Sequence, residues 1–510
     1  MTSAASPLLT SAAAGPRTAA ALDDGTRRRS WDELEARVSR LARWLRDDLG
    51  LGPDDHVASL VGNRVEGVEL ILASLAAGVW LTPLNWHLTA DEIAYIVRDA
   101  GTRILFTDAA NAAVAARVEA ERRIEVGAEL DRLLERVPDA PLSPDGPAGG
   151  TMIYTSGTTG KPKGVKRARA ATLGAALARM RDAGRSYGLD GRGPHLVTGP
   201  LYHAAPSLLA IYDLLNGASL VLMDRWDAAR CLALIDGHAI RHTHLVPTMF
   251  VRLLKLAPEL RAGFDGRTLT LVLHGAAPVS AEIKRQMIAW WGPVLVEYWG
   301  ATEGGVATIA SAAEWLARPG TVGRPIASFE VYAADEQGRR LPAGEVGLLR
   351  SRHKTLAQVF EYHGDPAKTA ATHPEPHVFT TGDLGYVDGE GYVFLTDRTT
   401  HLIISGGVNI YPAEIEGVLV EHPAVADVAV FGIPDDEWGE SVKAAVELAE
   451  GFSASAALEA ELLDLVATRL ARYKVPRSID FERALPRLPN GKLYVRALRE
   501  RYWQGRARAI

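Results

Sequence analysis

Apolar positions along this chain follow two rhythms. Ser30-Trp31-Asp32-Glu33 has capping-box spacing, and Leu34, Val38, Leu41 and Leu45 follow at helical intervals. That pattern predicts an amphipathic helix ending near Gly50. Between such stretches lie short apolar runs: VASLV (57–61), RILFT (103–107), SLVLM (219–223) and LTLVL (269–273). The alternation predicts an α/β fold with buried, largely parallel strands. The longest apolar run, Leu70 to Leu81, falls short of the ~20 residues that cross a bilayer and predicts a buried helix instead. After about residue 325, SFEVYAADEQGRRLPAGEVGLLRS has strand-and-turn character, with Gly338 and Pro342–Gly344 as breakers. A further boundary falls near Asp397–Thr400. Beyond it, AEIEGVLVEH and VADVAVFGI carry helix and strand patterns of their own, within roughly a hundred residues, enough for a small second domain. The basic tail RERYWQGRARAI predicts a solvated terminal helix.

Composition narrows the classes. The chain has 510 residues, too many for one core. With 47% hydrophobic and 23% charged residues it matches a globular protein. A formal net charge of -6 argues against a nucleic-acid partner. The single cysteine, Cys231, excludes an intrachain disulfide framework and a Cys-rich metal site, and is expected as a small buried apolar residue. The start, MTSAASPLLTSAAAG, lacks the basic beginning and long apolar run of a signal peptide, so the expected location is cytoplasmic.

The stretch TSGTTGKPKG, Thr155 to Gly164, combines glycines, hydroxyls and lysines in a pattern suited to phosphate. It is not a P-loop. Gly157 and Gly160 are too close together, and Lys161 is followed by Pro162 rather than Ser or Thr. Pro162 also disfavours a helical Lys161, so the chain stays extended through a loop. The plain alternative is a Gly/Thr-rich surface turn.

YTSGTTGKPKGV resembles the signature loop of the adenylate-forming superfamily: acyl-CoA synthetases, peptide-synthetase adenylation domains and firefly-type luciferases. The resemblance runs from about Trp31 to Lys492, with each further signature in order. It implies a large multi-sheet N-terminal α/β domain (1–396), a hinge (397–400) and a small mobile α+β C-terminal domain (401–510). The implied reaction joins a carboxylic acid to ATP, with Mg²⁺ and cations neutralising charge, then passes the acyl group to coenzyme A with release of AMP and pyrophosphate. Within the opening loop, Thr155, Ser156, Gly157, Thr158, Thr159 and Lys163 would hold phosphate. In YWGATEGG (298–305), Trp299 would stack on adenine, Thr302 would contact phosphate and Glu303 would help hold Mg²⁺. Gly275, Ala276 and Ala277 of HGAAPVS would line the nucleotide and acyl pocket; Ala276 stands where relatives often have glycine. Asp383 and Arg398 would bind the ribose. Lys492 would act on the α-phosphate and acyl oxygens. Gly406 and Gly407 of ISGGVNIYPAEIE would face coenzyme A after the small domain rotates. Relatives commonly carry Asp or Lys at the hinge position; here it is Thr400.

The same resemblance sorts the branches. His203, in PLYHAAP, takes the place of the aspartate that pairs with an amino acid's amino group, and resembles an aromatic gate at the acyl site. Ile404 stands where luciferases have a lysine. Gly300 stands where acetate-activating relatives have a tryptophan, which leaves the acyl channel open. Ala204, Ala205, Leu208, Leu209, Val246 and Met249 around it imply a hydrophobic acid: fatty, aryl or alicyclic. His242 and His244 are the polar exceptions that could meet a polar tail. The main expectation is an acyl-CoA ligase. The alternatives are a ligase that loads a carrier-protein phosphopantetheine thiol, and a non-catalytic nucleotide sensor, which would lack Lys492, Glu303 or Asp383. The small-molecule partners are the acid, ATP and coenzyme A, and the resemblance also allows a homodimer.

Overall fold

The computed structural model describes residues 9, 16–155, 162–276, 279, 281–398, 403–410, 412–486 and 495–504. The first predicted helix forms as its caps dictate. It spans Trp31–Arg43; the Ser30 side chain accepts the Glu33 N–H, and the Glu33 carboxylate accepts the Ser30 N–H. Leu34, Val38 and Leu41 face inward. The helix then widens over Trp44–Asp48, where Leu49 N–H reaches back five residues to the Trp44 carbonyl.

The long apolar run divides in two. A helix over Val65–Ala77, buried at every residue, ends at Gly78, whose φ of +86° is left-handed. A strand, Trp80–Pro83, follows at once. A β-carbon on Gly78 would sit 2.9 Å from the Pro147 ring, so conformation and space both require glycine there. Periodicity cannot find this break, because helix and strand are equally buried.

Among the described residues the strands form three sheets. In the largest, His195–Val197, Leu220–Leu222, His242–Leu245, Leu271–His274 and Leu295–Ala301 run parallel, as the short apolar runs predict. It continues antiparallel through Gly305–Ser311 and Thr321–Pro325 to Val393–Arg398 and Asp383–Val387. The second sheet sets His56–Leu60 between Trp80–Pro83 and Thr102–Thr107, all parallel. The C-terminal part builds its own sheet from the long hairpin Val425–Asp435 and Gly439–Leu448, with Ser478–Glu482 alongside. The helices Pro412–Leu419 and Ala456–Arg469 cover it. Its core, from Ile403 to Ile479, draws no residue from the large domain. The result is a large α/β domain followed by a small α+β one.

Cys231 is fully buried, and burial pushes its thiol up to about 12. Among the described residues no helix is long and apolar enough to cross a membrane.

The two domains meet through specific contacts. Lys474 of the small domain is buried between Glu92 of the large domain, at 2.8 Å, and Glu414 of its own, at 2.7 Å. Asn85 donates to the Tyr473 hydroxyl (3.3 Å). Arg252 pairs with Glu437 at 3.2 Å and lies 4.4 Å over the Trp438 ring.

Candidate active site

The phosphate-suited stretch begins and ends on a β-hairpin. Gly150–Thr155 pairs antiparallel with Lys163–Arg167, and Thr155 sits opposite Lys163. Ser156, Gly157, Thr158 and Thr159 lie outside the described residues, but the register fixes where both ends of their loop emerge. Alternation puts Lys163, Val165 and Arg167 on one strand face. Val165 on that face belongs to one apolar cluster with Trp299 and Ala307, while Lys166 on the other lies 5.0 Å over the Trp80 ring.

Thr302 and Glu303 form the turn between Leu295–Ala301 and Gly305–Ser311. Glu303 Oε1 accepts the Tyr362 hydroxyl at 3.1 Å. Lys368 Nζ lies 4.1 Å from the Tyr362 ring centre. Burial lowers the Lys368 pKa, and the charge of Glu303 opposes that shift. Lys163 Nζ is 3.3 Å from Asp365. Tyr362, Asp365 and Lys368 were not among the residues expected from sequence. EYHGDPAKT carries no spacing that marks it; only the sheet that sets Phe360–Tyr362 beside Lys163–Arg167 brings it here.

Trp299 and Asp383 come together directly. The indole N–H donates to Asp383 Oδ2 at 3.2 Å, and Thr381 Oγ1 donates to the same oxygen at 2.9 Å. Both residues are buried. Arg398 stands opposite Asp383 in the antiparallel ladder. Gly275 is required by contact: a β-carbon would lie 2.6 Å from the Tyr298 carbonyl oxygen. The next residue, Ala276, has φ +66°, a left-handed conformation that glycine adopts at less cost. Gly300 has a reason beyond an open channel. A β-carbon there would lie 2.1 Å from the Gly305 carbonyl oxygen, so the hairpin itself excludes any side chain.

His203 caps the helix Ala204–Asn216. Its ring is 4.5 Å from that of Tyr202, and burial, then His87, push its pKa down to about 4. It is therefore a neutral aromatic at pH 7. Leu209, Leu273 and Tyr298 form an apolar cluster with Ala205, Leu208 and Val306 packed on it. Met249 departs from expectation and packs on a different cluster, with Phe250, Leu253 and Met287. His242 and His244 are not open to a polar tail. His242 Nδ1 is bonded to Asp213 at 2.7 Å, and His244 Nε2 to the Tyr298 hydroxyl at 2.9 Å.

Gly406 and Gly407 form a turn with φ +61° and +77°. A β-carbon on Gly406 would sit 2.5 Å from the Trp438 ring, and one on Gly407 3.3 Å from Val246 of the large domain. Gly407 therefore lets the small domain lie close against the end of the strand His242–Leu245, while Gly406 makes room for Trp438 of its own domain. Lys492, Ala277 and Thr400 lie outside the described residues.

Among the described residues no group of three His, Cys, Asp or Glu side chains could hold a metal. Mg²⁺ carried on a triphosphate needs only one or two carboxylates, and Glu303, oriented by Tyr362, fits that requirement.

Comparison with known proteins identifies the family. Residues 9–360 match the AMP-binding enzyme model, and residues 414–492 the AMP-binding enzyme C-terminal domain. The chain is 33% identical to the fatty acid–[acyl-carrier-protein] ligase ScoC of Streptomyces coeruleorubidus, covering 97% of this chain and 95% of the relative. It is also 33% identical to a feruloyl-CoA synthase from Amycolatopsis sp, covering 93% and 94%. Two structures of o-succinylbenzoate CoA synthetase (MenE) from Bacillus subtilis match to different degrees. The double mutant bound with the product analogue OSB-NCoA has a TM-score of 0.81 at 28% identity, covering 96% of this chain and 97% of that one. The complex with the acyl-adenylate has 0.64 at 29%, covering 96% of each. On these matches the chain belongs to the AMP-binding enzyme family.

Proposed function

We propose that this protein is an AMP-forming acid–thiol ligase, an acyl-CoA synthetase acting on an acid with a hydrophobic body. The acid's carboxylate oxygen attacks the α-phosphorus of ATP and expels pyrophosphate. The thiol of coenzyme A then attacks the acyl carbonyl, the thiol proton is lost and AMP leaves. Lys163 and the loop it closes neutralise the phosphates. Glu303, held by Tyr362, would carry Mg²⁺, which supplies charge neutralisation when bound. Asp383 would accept the ribose hydroxyls, with Arg398 beside it. Trp299, held by Asp383, would form the adenine wall, and Thr302 would meet phosphate. Gly275, Ala276 and Ala277 would line the boundary between nucleotide and acyl group. Neutral His203 would gate the acyl channel. Lys492 would enter for the first half-reaction and leave for the second, with residues 397–400 as the hinge between a 1–396 domain and a 401–510 domain.

The observation that carries this reading is the glycine turn of the small domain beside Val246, at the end of the strand His242–Leu245, in the same sheet as the strand Leu295–Ala301 that carries Trp299. A backbone turn without β-carbons leaves room for a narrow thiol arm. The better fit to the MenE structure with a coenzyme A product analogue supports the view that the described arrangement serves thiol transfer. The likeness to ScoC favours a second reading, in which a carrier-protein thiol replaces coenzyme A.

The test is pyrophosphate release over a panel of acids, from acetate to long fatty, aryl and alicyclic acids, with and without coenzyme A. Thioester formation with a hydrophobic acid is the expected result. An adenylate discharged only by a phosphopantetheinyl carrier would select the second reading. No pyrophosphate with any acid would overturn both.

A further inference from the structure

The strand face that carries Lys163 and Val165 ends in Arg167, ~13 Å along the strand from Lys163. Its guanidinium occupies the space a side chain at 305 would take. A β-carbon on Gly305 would lie 2.6 Å from Arg167 Nη2 and 3.0 Å from Cζ. Gly305 faces Ala301 across the hairpin, and Val306 faces Gly300. Arg167 therefore packs beside the hairpin that carries Gly300, the residue expected to leave the far end of the acyl channel open.

A second guanidinium joins it. Arg179, on the helix Leu173–Ser186, donates Nη1 to the Ala168 carbonyl at 3.2 Å, next to Arg167 in the chain. Arg179 is exposed at its surface, and partial desolvation, then the like charge of Arg167, hold it below its ordinary value. His353 is held down in the same way, first by burial and then by Arg179 and Arg167. Among the described residues neither arginine has a carboxylate partner, whereas Arg29 and Arg37, for example, share Glu69.

The neighbouring wall is apolar with two polar tips. Tyr187 and Tyr212, with ring centroids 6.3 Å apart, belong to the cluster of Leu209, Leu273, Tyr298 and Val306. Among the described residues neither hydroxyl has a hydrogen-bond partner. Two guanidiniums close enough to repel, with two phenols beside them and no acid, form a site that a planar anion completes. A methyl-ended acid would desolvate the partly buried Arg167 and return no hydrogen bond.

We propose that the far end of the acyl channel is an anion site built from Arg167 and Arg179, and that the acid activated carries a second, remote carboxylate on an otherwise apolar body. This rests on the ligase reading and narrows its substrate class. The Arg167 fork takes the carboxylate in two parallel N–H···O bonds, Arg179 supplies a further N–H, and the tyrosine hydroxyls donate around it.

The test compares matched acids of equal length, with and without a terminal carboxylate, in fatty, aryl and alicyclic series. The readout is kcat/KM for pyrophosphate release. The expected preference for the diacid is ~10- to 100-fold, the range of a charge-assisted hydrogen bond. R167M should remove that preference by raising KM for the diacid, leaving the matched monoacid nearly unchanged. R167E should shift the preference to acids ending in an amine. Equal kcat/KM for mono- and diacids would overturn the anion site while leaving the ligase intact. An R167M effect on KM for ATP or coenzyme A instead of the acid would also overturn it. Diacid protection against thermal unfolding, present in the native chain and lost in R167M, supports the site independently of turnover. Absence of that protection at millimolar diacid counts against it.

Discussion

Two buried charge clusters in this molecule use the same chemistry with opposite arrangements. In the large domain Asp213 lies between His195, at 2.9 Å, and His242, at 2.7 Å, and its second oxygen accepts the Gly191 N–H at 3.0 Å. All three side chains are buried within one domain. At the domain boundary Lys474 lies between Glu92 and Glu414, one acid from each side. The first cluster joins a helix to two parallel strands that never separate. The second joins surfaces that must part if the small domain turns. Desolvation is costly in both. In the first, that cost is met once, on folding. In the second it would recur if the small domain turns as proposed, so Lys474 would set a balance between arrangements, while Asp213 sets stability.

The sharpest way to break the comparison is at Asp213. Asp213→Ala leaves two buried imidazoles without their acceptor and should cost about 3–5 kcal/mol of unfolding free energy. Chemical denaturation measures it; a loss below about 1 kcal/mol would place this cluster among minor contacts. Its pH dependence has a definite sign. Burial would raise the Asp213 pKa, but the bonds from His195 and His242 outweigh it and hold the carboxyl below its ordinary 3.8. Its contribution is therefore present above that value and lost as pH falls below it. The stability gap between the native chain and Asp213→Ala should narrow only in acid.

Lys474→Met should act on the other axis. Stability should fall as well, because Glu414 and Glu92 lose the buried cation between them, and the ratio of thioester formation to adenylate formation should fall about tenfold, equivalent to ~1.4 kcal/mol. Single-turnover measurement of the two half-reactions decides this, and equal slowing of both would remove Lys474 from the balance. Burial works against the Lys474 charge, but Glu414, Tyr473 and Glu92 outweigh it and hold the pKa above 10.5. A raised lysine keeps its contribution below that value and loses it only as pH rises through the folded value. The ratio should accordingly stay flat from about pH 6 to 9 if Lys474 is its main determinant.

Tyr362→Phe should have a smaller effect. Removing the hydroxyl that orients Glu303 should weaken adenylation by up to about tenfold, the range of one hydrogen bond. The change should appear in the dependence on Mg²⁺ and ATP and leave thiol transfer from a supplied adenylate intact. Smallest of all is Ala276→Gly. It should relieve about 1 kcal/mol of left-handed strain, offset in part by the added freedom of the unfolded chain, and is read by thermal unfolding.

The sequence specified whatever depends on local order along the chain. The capping box at Ser30 and Glu33, the buried strands at 57–61, 103–107, 219–223 and 269–273, and the change to strand-and-turn after residue 325 all follow from side-chain period and turn chemistry. The family was legible for the same reason: TSGTTGKPKG, YWGATEGG and HGAAPVS are each contiguous in the chain, so each signature can be read without knowing the fold. The tertiary structure decided what contiguity does not carry. It divided the run at 70–81 through one left-handed glycine. It bound His242 and His244 to Asp213 and Tyr298, and it seated Tyr362 on Glu303 across 59 residues of chain. It set Arg167 against Gly305 and placed Lys474 between Glu92 and Glu414. Each of these is a distance between segments far apart in the chain. Side-chain period along a strand or helix records which face is buried, but not which partner covers it.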